Sequence, residues 1–190
     1  MTQINVQPRL KAFLDLIAWS EGTSTSRVTT YDGYDVIVSG VDGAHVFTDF
    51  SSYPFAHGRP PILVRSTGMP TFPPDPKSVA CVEPTQSPGT PALYSTASGR
   101  YQIELETWTE IAAKFALGTF SPRNQDIAAT ELVQRRHATG EVLSGEIGAA
   151  INLCALEWAS FPGNDYKPGG KGIAALLAEF NDLLRLEQQP

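Results

Sequence analysis

Leu10, Phe13, Leu14 and Ile17 fall at helical spacing, with Lys11 and Asp15 assigned to other faces and Gly22 as a stop, so a first helix is predicted from Leu10 onward. Tyr34 to Val38 and Val46 to Phe50 are β-branched and aromatic stretches separated by the turn-rich Ser39-Gly40-Val41-Asp42-Gly43, a pattern that predicts a small antiparallel hairpin. From Pro54 to Pro91 the chain holds most of its prolines, including Pro60-Pro61, Pro73-Pro74 and Pro76; helices are excluded there, and residues 69–93 read as a surface insertion. Beyond it the period turns helical again. Leu105, Trp108, Ala112 and Phe115 make one face, and Ser121-Pro122 caps a helix with Ala128, Ala129, Leu132 and Val133 that ends near Gly140. Ile147, Ile151, Cys154 and Trp158 mark another helix, closed by Pro162-Gly163; Ile173, Leu176, Leu177, Phe180 and Leu184 mark the last. The expected class is α+β: one mainly helical domain over residues 1–190, with a small antiparallel β lobe and a proline-rich loop insertion.

Composition narrows the function classes. The 190 residues suffice for one real core, and the hydrophobic share of 42% and charged share of 18% are those of a soluble globular chain. No apolar run approaches the ~20 residues that span a bilayer, so no stable membrane insertion is expected. The first thirteen residues, with Asn5, Gln7, Pro8, Arg9 and Lys11, lack the features of a secretory signal, which places the expected site of accumulation in the cytoplasm. A net charge of −6 argues against nucleic-acid binding, which depends on Lys and Arg displacing counterions. Cys81 and Cys154 show no metal-ligand spacing: Cys154 reads as a small core residue and Cys81 as a loop thiol, with a bond between them left open. Nothing demands a metal or a cofactor.

Glu21 lies four residues after Ile17 and so extends the apolar stripe of the first helix. Desolvation, and the negative end of a helix dipole, both favour the protonated form of a carboxyl, and a proton-holding acid is what protonation of a glycosidic oxygen requires. An ion pair with a core arginine, or a frayed helix end, are the alternative readings of Glu21 by itself.

Its context adds a resemblance. Ala18-Trp19-Ser20-Glu21-Gly22-Thr23, Gly33-Tyr34-Asp35-Val36-Ile37-Val38, Phe47-Thr48-Asp49, Ser98-Gly99-Arg100-Tyr101-Gln102, Phe120-Ser121-Pro122 with Gln125-Asp126, and Trp158-Ala159-Ser160 with Pro162-Gly163 and Tyr166 run in this order along the chain. Together they resemble the phage lambda lysozyme (endolysin) family of lytic transglycosylases, over nearly the whole chain except the insertion. The resemblance implies a lysozyme-like fold with Glu21 as the catalytic residue at the floor of a cleft. It implies cleavage of the β-1,4 bond between N-acetylmuramic acid and N-acetylglucosamine in peptidoglycan glycan strands, leaving 1,6-anhydro ends. It further implies residence in the host bacterial cytoplasm until a holin-like, membrane-permeabilising partner gives access to the periplasm or cell wall. The chain is expected to act as a monomer.

The same resemblance assigns the remaining site residues. Asp35 becomes a substrate-binding residue or second carboxylate, against a strand residue bonded to backbone; Asp32 is expected to be solvated. Ser98, Arg100, Tyr101 and Gln102 are assigned to the cleft, with the alternatives that Arg100 partners a buried carboxylate and that Tyr101 is a core aromatic. Gln125, and Asp126 beside it, match a family pair or merely complement a helix start. Tyr166 matches a tyrosine near the acid. Trp19, Trp108 and Trp158 are assigned to packing. Rival readings are a hydrolytic muramidase using Glu21 and Asp35, and a non-catalytic glycan-binding phage protein; a cysteine peptidase with Cys81 and His57 or His137 lacks a nucleophile motif.

Overall fold

The computed structural model describes residues 1–66, 91–162 and 171–189. The first helix, α1 (Pro8–Glu21), starts two residues before the apolar stripe because Pro8 occupies its first turn, where the missing N–H costs nothing. Gly22 ends it in the left-handed conformation at φ 78°, with Ala18 and Trp19 as carbonyl acceptors. Ala12, Phe13, Leu14, Leu16, Ile17 and Ala18 are all fully buried, so α1 is a central helix wrapped on nearly every side rather than a surface helix with one apolar stripe. Asp15, expected on another face, is consequently buried as well.

The first hairpin pairs β1 (Val36–Gly40) with β2 (Gly43–Val46), in a register that sets Val36 against Val46 and Gly40 against Gly43. The turn is therefore tighter than the predicted five-residue connection, and the second strand lies before the expected stretch from Val46 to Phe50. Apolar packing draws that stretch out of the sheet: Phe47 and Phe50 stack at 4.9 Å, and Phe47 lies 5.8 Å from the buried Phe120 ring. A second ladder that the pattern did not reveal joins β3 (Ile62–Arg65) to β4 (Leu93–Ser95). Residues 69–90 of the expected insertion lie outside the described residues, and its last residue, Leu93, opens β4.

Five further helices complete the described chain: α2 (Leu105–Phe115), α3 (Pro122–Arg135), α4 (Thr139–Ser144), α5 (Ile147–Cys154) and α6 (Ile173–Glu187). The helix expected to run to Gly140 stops at Arg135, and Gly140 sits inside the separate α4. Trp158 falls beyond α5, in the turn that follows it, yet is 3% exposed. α1 packs most extensively against α6 and also touches α3 and α4. Cys154 is a buried free thiol whose pKa burial pushes up to about 12, so it is a core residue and not a nucleophile. Cys81 lies outside the described residues. Among the described residues no helix is long and apolar enough to cross a membrane.

Candidate active site

Glu21 is the last residue of α1, half-exposed, at the wall of a cleft of about 500 Å³. The helical side of the cleft comprises Glu21, Gly22, Thr23 and the turn with Glu157, Trp158 and Ala159. The β side comprises Val36 to Ser39, Val64, Leu93 to Ser95, Ala97, Gln102 and Glu104. Such a trough, apolar along one wall and carrying a few convergent polar groups, suits an extended sugar chain.

Three side-chain donors fix the Glu21 end of the helix. The Ser160 hydroxyl donates to Glu21 Oε1 at 2.6 Å, and the other carboxyl oxygen has no hydrogen bond among the described residues. The Thr23 hydroxyl donates to the carbonyls of Ala18 at 3.1 Å and Arg100 at 2.5 Å, fastening the residues after Glu21 to the loop around Gly99. Lys171 donates to the carbonyl of Trp19 at 2.6 Å.

That loop is the frame of the site. Gly99 adopts φ 77°, and its N–H donates to the Val36 carbonyl at 2.7 Å, while Ser98 and Ile103 exchange backbone bonds. A side chain at Gly99 would collide with the amide of Gln125, which must come this close to accept from Arg100 N at 2.9 Å and donate to the carbonyls of Tyr34 and Phe120. The Trp158 indole N–H donates to the Tyr101 carbonyl at 3.0 Å, tying the Ser160 turn to the same loop.

The structure gathers some of the predicted site residues in the cleft and sends others behind it. Glu21 and Gln102 line it; Gln102 has its amide N–H on the Gly99 carbonyl at 3.0 Å. Arg100 is 2% exposed and bonds Asp15 at 2.8 Å and Asp32, so it is the partner of a buried carboxylate and does not line the cleft; Asp32 is engaged rather than merely solvated. Tyr101 is fully buried, its hydroxyl donating to Asp126 at 2.6 Å beside Tyr34 at 2.8 Å. Asp126 therefore organises a buried polar centre, also accepting the N–H groups of Gln3 and Ile4, and burial raises its pKa even against these four bonds. Ser98 and Gln125 are likewise buried. Tyr166 lies outside the described residues.

Asp35 departs from the reading as a second carboxylate. It is 2% exposed, with one oxygen on the Thr29 hydroxyl and the other on Thr30 N at 2.8 Å and the Thr30 hydroxyl at 2.9 Å. Burial by itself would raise its pKa, but these bonds to the anion outweigh it and hold the group below its ordinary value. Among the described residues, the carboxylates that line the cleft beside Glu21 are Glu104 and Glu157. Glu104 accepts from Ser95 Oγ at 2.6 Å and Thr96 N at 2.9 Å; Glu157 is paired with Arg136 at 2.7 Å. Sequence reasoning missed both, together with Thr23, Ser160 and Lys171. Ser160 stood in the matched Trp158-Ala159-Ser160 run and could have been found; for Glu104 and Lys171 no signal existed.

The comparisons with known proteins agree with this arrangement. The family model described as Endolysin matches residues 11–72 and 76–184. The endolysin of Escherichia phage P2 is 39% identical over 167 residues, 87% of either chain, and that of Escherichia phage lambda is 34% identical over 183 residues, 96% of this chain and 94% of its own. Among solved structures, phage lambda lysozyme in complex with a chitohexasaccharide superposes with a TM-score of 0.72 at 32% identity, covering 95% of this chain and 97% of that one. A second structure of lysozyme from bacteriophage lambda gives 0.68 at 30% identity, with the same coverage. With six helices and two small antiparallel ladders among the described residues and a cleft at the end of the central helix, the chain belongs to the endolysin family and has the fold of phage lambda lysozyme.

Proposed function

We propose that this endolysin cleaves the β-1,4 bond between N-acetylmuramic acid and N-acetylglucosamine in peptidoglycan, as a lytic transglycosylase with Glu21 as its single acid and base. The observation that carries the reading is the state of the carboxylates around the cleft. Among the described residues Glu21 is bonded through one oxygen, to Ser160, whereas both Asp35 oxygens are engaged by Thr29 and Thr30. Glu104 and Glu157 are engaged by Ser95, Thr96 and Arg136.

Glu21 protonates the bridging oxygen as the bond to the anomeric carbon breaks and the N-acetylglucosamine hydroxyl leaves. The resulting Glu21 carboxylate then takes the proton of the muramic acid 6-hydroxyl as that oxygen bonds to the anomeric carbon, which closes the 1,6-anhydro ring and restores the acid. The nucleophile belongs to the substrate, so proximity replaces an activated water, and the sugar's acetamido group can shield the anomeric charge in place of a second carboxylate. Gln102 offers amide groups to sugar acetamido and hydroxyl groups. Within this reading the chain acts as a monomer in one domain, accumulates in the host cytoplasm, and depends on a holin-like permeabilising protein for access to the wall.

The test is digestion of purified peptidoglycan by the wild type and by Glu21→Gln, with mass spectrometry of the released muropeptides. Products lacking one water at the muramic acid end, and lost in the variant, are the expected result. Hydrated reducing ends would move the assignment to hydrolysis, and undiminished cleavage by Glu21→Gln would remove Glu21 from the chemistry.

A further inference from the structure

Lys171 stands at the chain entering α6 and reaches back to the end of α1. Its ammonium donates to the carbonyls of Trp19 at 2.6 Å and Ser20 at 3.3 Å, and lies 4.1 Å from the centre of the Trp19 ring. The last carbonyls of a helix have no partner within it and carry the negative end of its dipole. Gly22 N and Thr23 N answer Trp19 and Ala18 with backbone N–H groups, but these bring no net charge. Lys171 brings a full cation to the turn that presents Glu21.

We infer that Lys171 is a positioning residue for Glu21, an ammonium that fastens the C-terminal turn of α1 and sets the charge against which Glu21 gives up and regains its proton. The inference rests on Glu21 being the acid and base proposed above.

Among the described residues the surroundings leave this role to Lys171. The charged groups described around it are Glu21 on α1, Glu179 on α6, and Glu104 and Glu157 in the cleft, all acidic. Arg136, just past the end of α3, is held on Glu157 by two bonds at 2.9 and 2.7 Å. Half-burial against Trp19 disfavours the ammonium and lowers its pKa, while Glu21 and Glu179 act in the opposite direction. Through-space attraction runs both ways: the Glu21 anion favours the cation held on its turn, and the cation favours the anion formed after the first proton transfer. A single carboxyl that must be acid in one half of the reaction and base in the next is served by a cation fixed on the carbonyls of its own turn.

The test uses the full chain with Lys171→Met, which keeps the apolar stem on Trp19, and Lys171→Arg, which keeps the charge. Rates of solubilisation of purified peptidoglycan are measured across pH, with KM and kcat separated and thermal unfolding followed in parallel. For an enzyme that starts with its carboxyl protonated, activity falls on the alkaline side as Glu21 ionises. Removing the cation moves that limb upward by about half a pH unit or more, lowers kcat severalfold and leaves KM within about twofold. Lys171→Arg restores the limb. An alkaline limb unmoved in Lys171→Met, with only the unfolding temperature lowered, would overturn the inference and leave Lys171 a mere clamp. Should Lys171→Met not fold, Lys171→Gln and Lys171→Arg must still differ in the limb. Product analysis of Glu21→Gln decides the acid assignment separately, so an unmoved limb beside an inactive Glu21→Gln overturns this inference alone.

Discussion

Arg100→Met is expected to unfold the protein more readily without removing a contact to substrate. Arg100 and Asp15 are each 2% exposed and meet at 2.8 Å, with the guanidinium 5.1 Å from the centre of the Tyr34 ring. Asp15 Oδ1 keeps two further bonds, from Thr2 N at 2.9 Å and the Thr2 hydroxyl at 2.8 Å, but its Oδ2 has no partner among the described residues. Methionine preserves the stem and strands the anion, and leaving one charge of a buried pair alone costs about 3–5 kcal/mol. That is a large share of the 5–15 kcal/mol typical of a folded domain. At roughly 2–4 °C per kcal/mol for a chain of this size, Tm falls by about 10 °C. Circular dichroism melts and urea titrations measure the loss. The pair Arg100→Met with Asp15→Leu should regain much of it, because the penalty belongs to the uncompensated charge. Peptidoglycan cleavage per folded molecule, assayed well below the melt, should stay near the wild-type level. A loss under about 1 kcal/mol, no recovery in the double variant, or activity reduced beyond the unfolded fraction would refute the reasoning, and the last would return Arg100 to the substrate.

Two further outcomes follow from the frame. Asp35→Asn is expected to cost about 1–3 kcal/mol near neutral pH by disturbing the Thr29 and Thr30 bonds. Because the folded-state pKa is lowered, the carboxylate's stabilisation is present above its ordinary value of about 3.9 and is lost as pH falls through the folded value, so urea midpoints of wild type and variant should converge in acid. Gly99→Ala forces a side chain into the left-handed region at φ 77° and against Gln125 Cδ at 2.7 Å, with Phe120 Cζ at 3.0 Å. A loss of roughly 2–4 kcal/mol with an unchanged urea slope is expected, and a neutral result would mean that Gln125 is not the fixed support described above.

What could be read from the chain depended on whether a signal was local. The stripe from Leu10 to Ile17, the Gly22 stop and the core positions of the later helices were legible because periodicity and a left-handed cap are properties of short stretches. The hairpin register was not, since it follows from the two-residue turn at Val41 and Asp42 and from the pull of Phe120 on Phe47. β3 and β4 pair across the whole proline-rich stretch, and no local pattern announces a partner so distant in sequence. Asp15 fell off the apolar stripe, and only the fold supplies its buried partner, Arg100, from 85 residues away. The motif resemblance located Glu21 and Gln102 in the cleft, yet it could not separate residues that touch the cleft from those that build it.

That separation bears on the chemistry. Val36, Thr23, Trp158 and Gln125, from four segments of the chain, all bond the backbone of residues 99–101. One short loop thus joins the β1 wall, the end of α1 and the turn that presents Ser160. A two-carboxylate glycosidase divides its proton transfers between groups on two sides of the sugar. An enzyme with one carboxyl must serve the leaving oxygen and then the attacking hydroxyl from a single place, and misplacement by ~1 Å can cost about a hundredfold in rate. For the mechanism proposed above, the burial of α1 on nearly all sides and the buried polar residues packed behind the cleft are suited to that demand, with Glu21 bonded among the described residues through one oxygen, to Ser160.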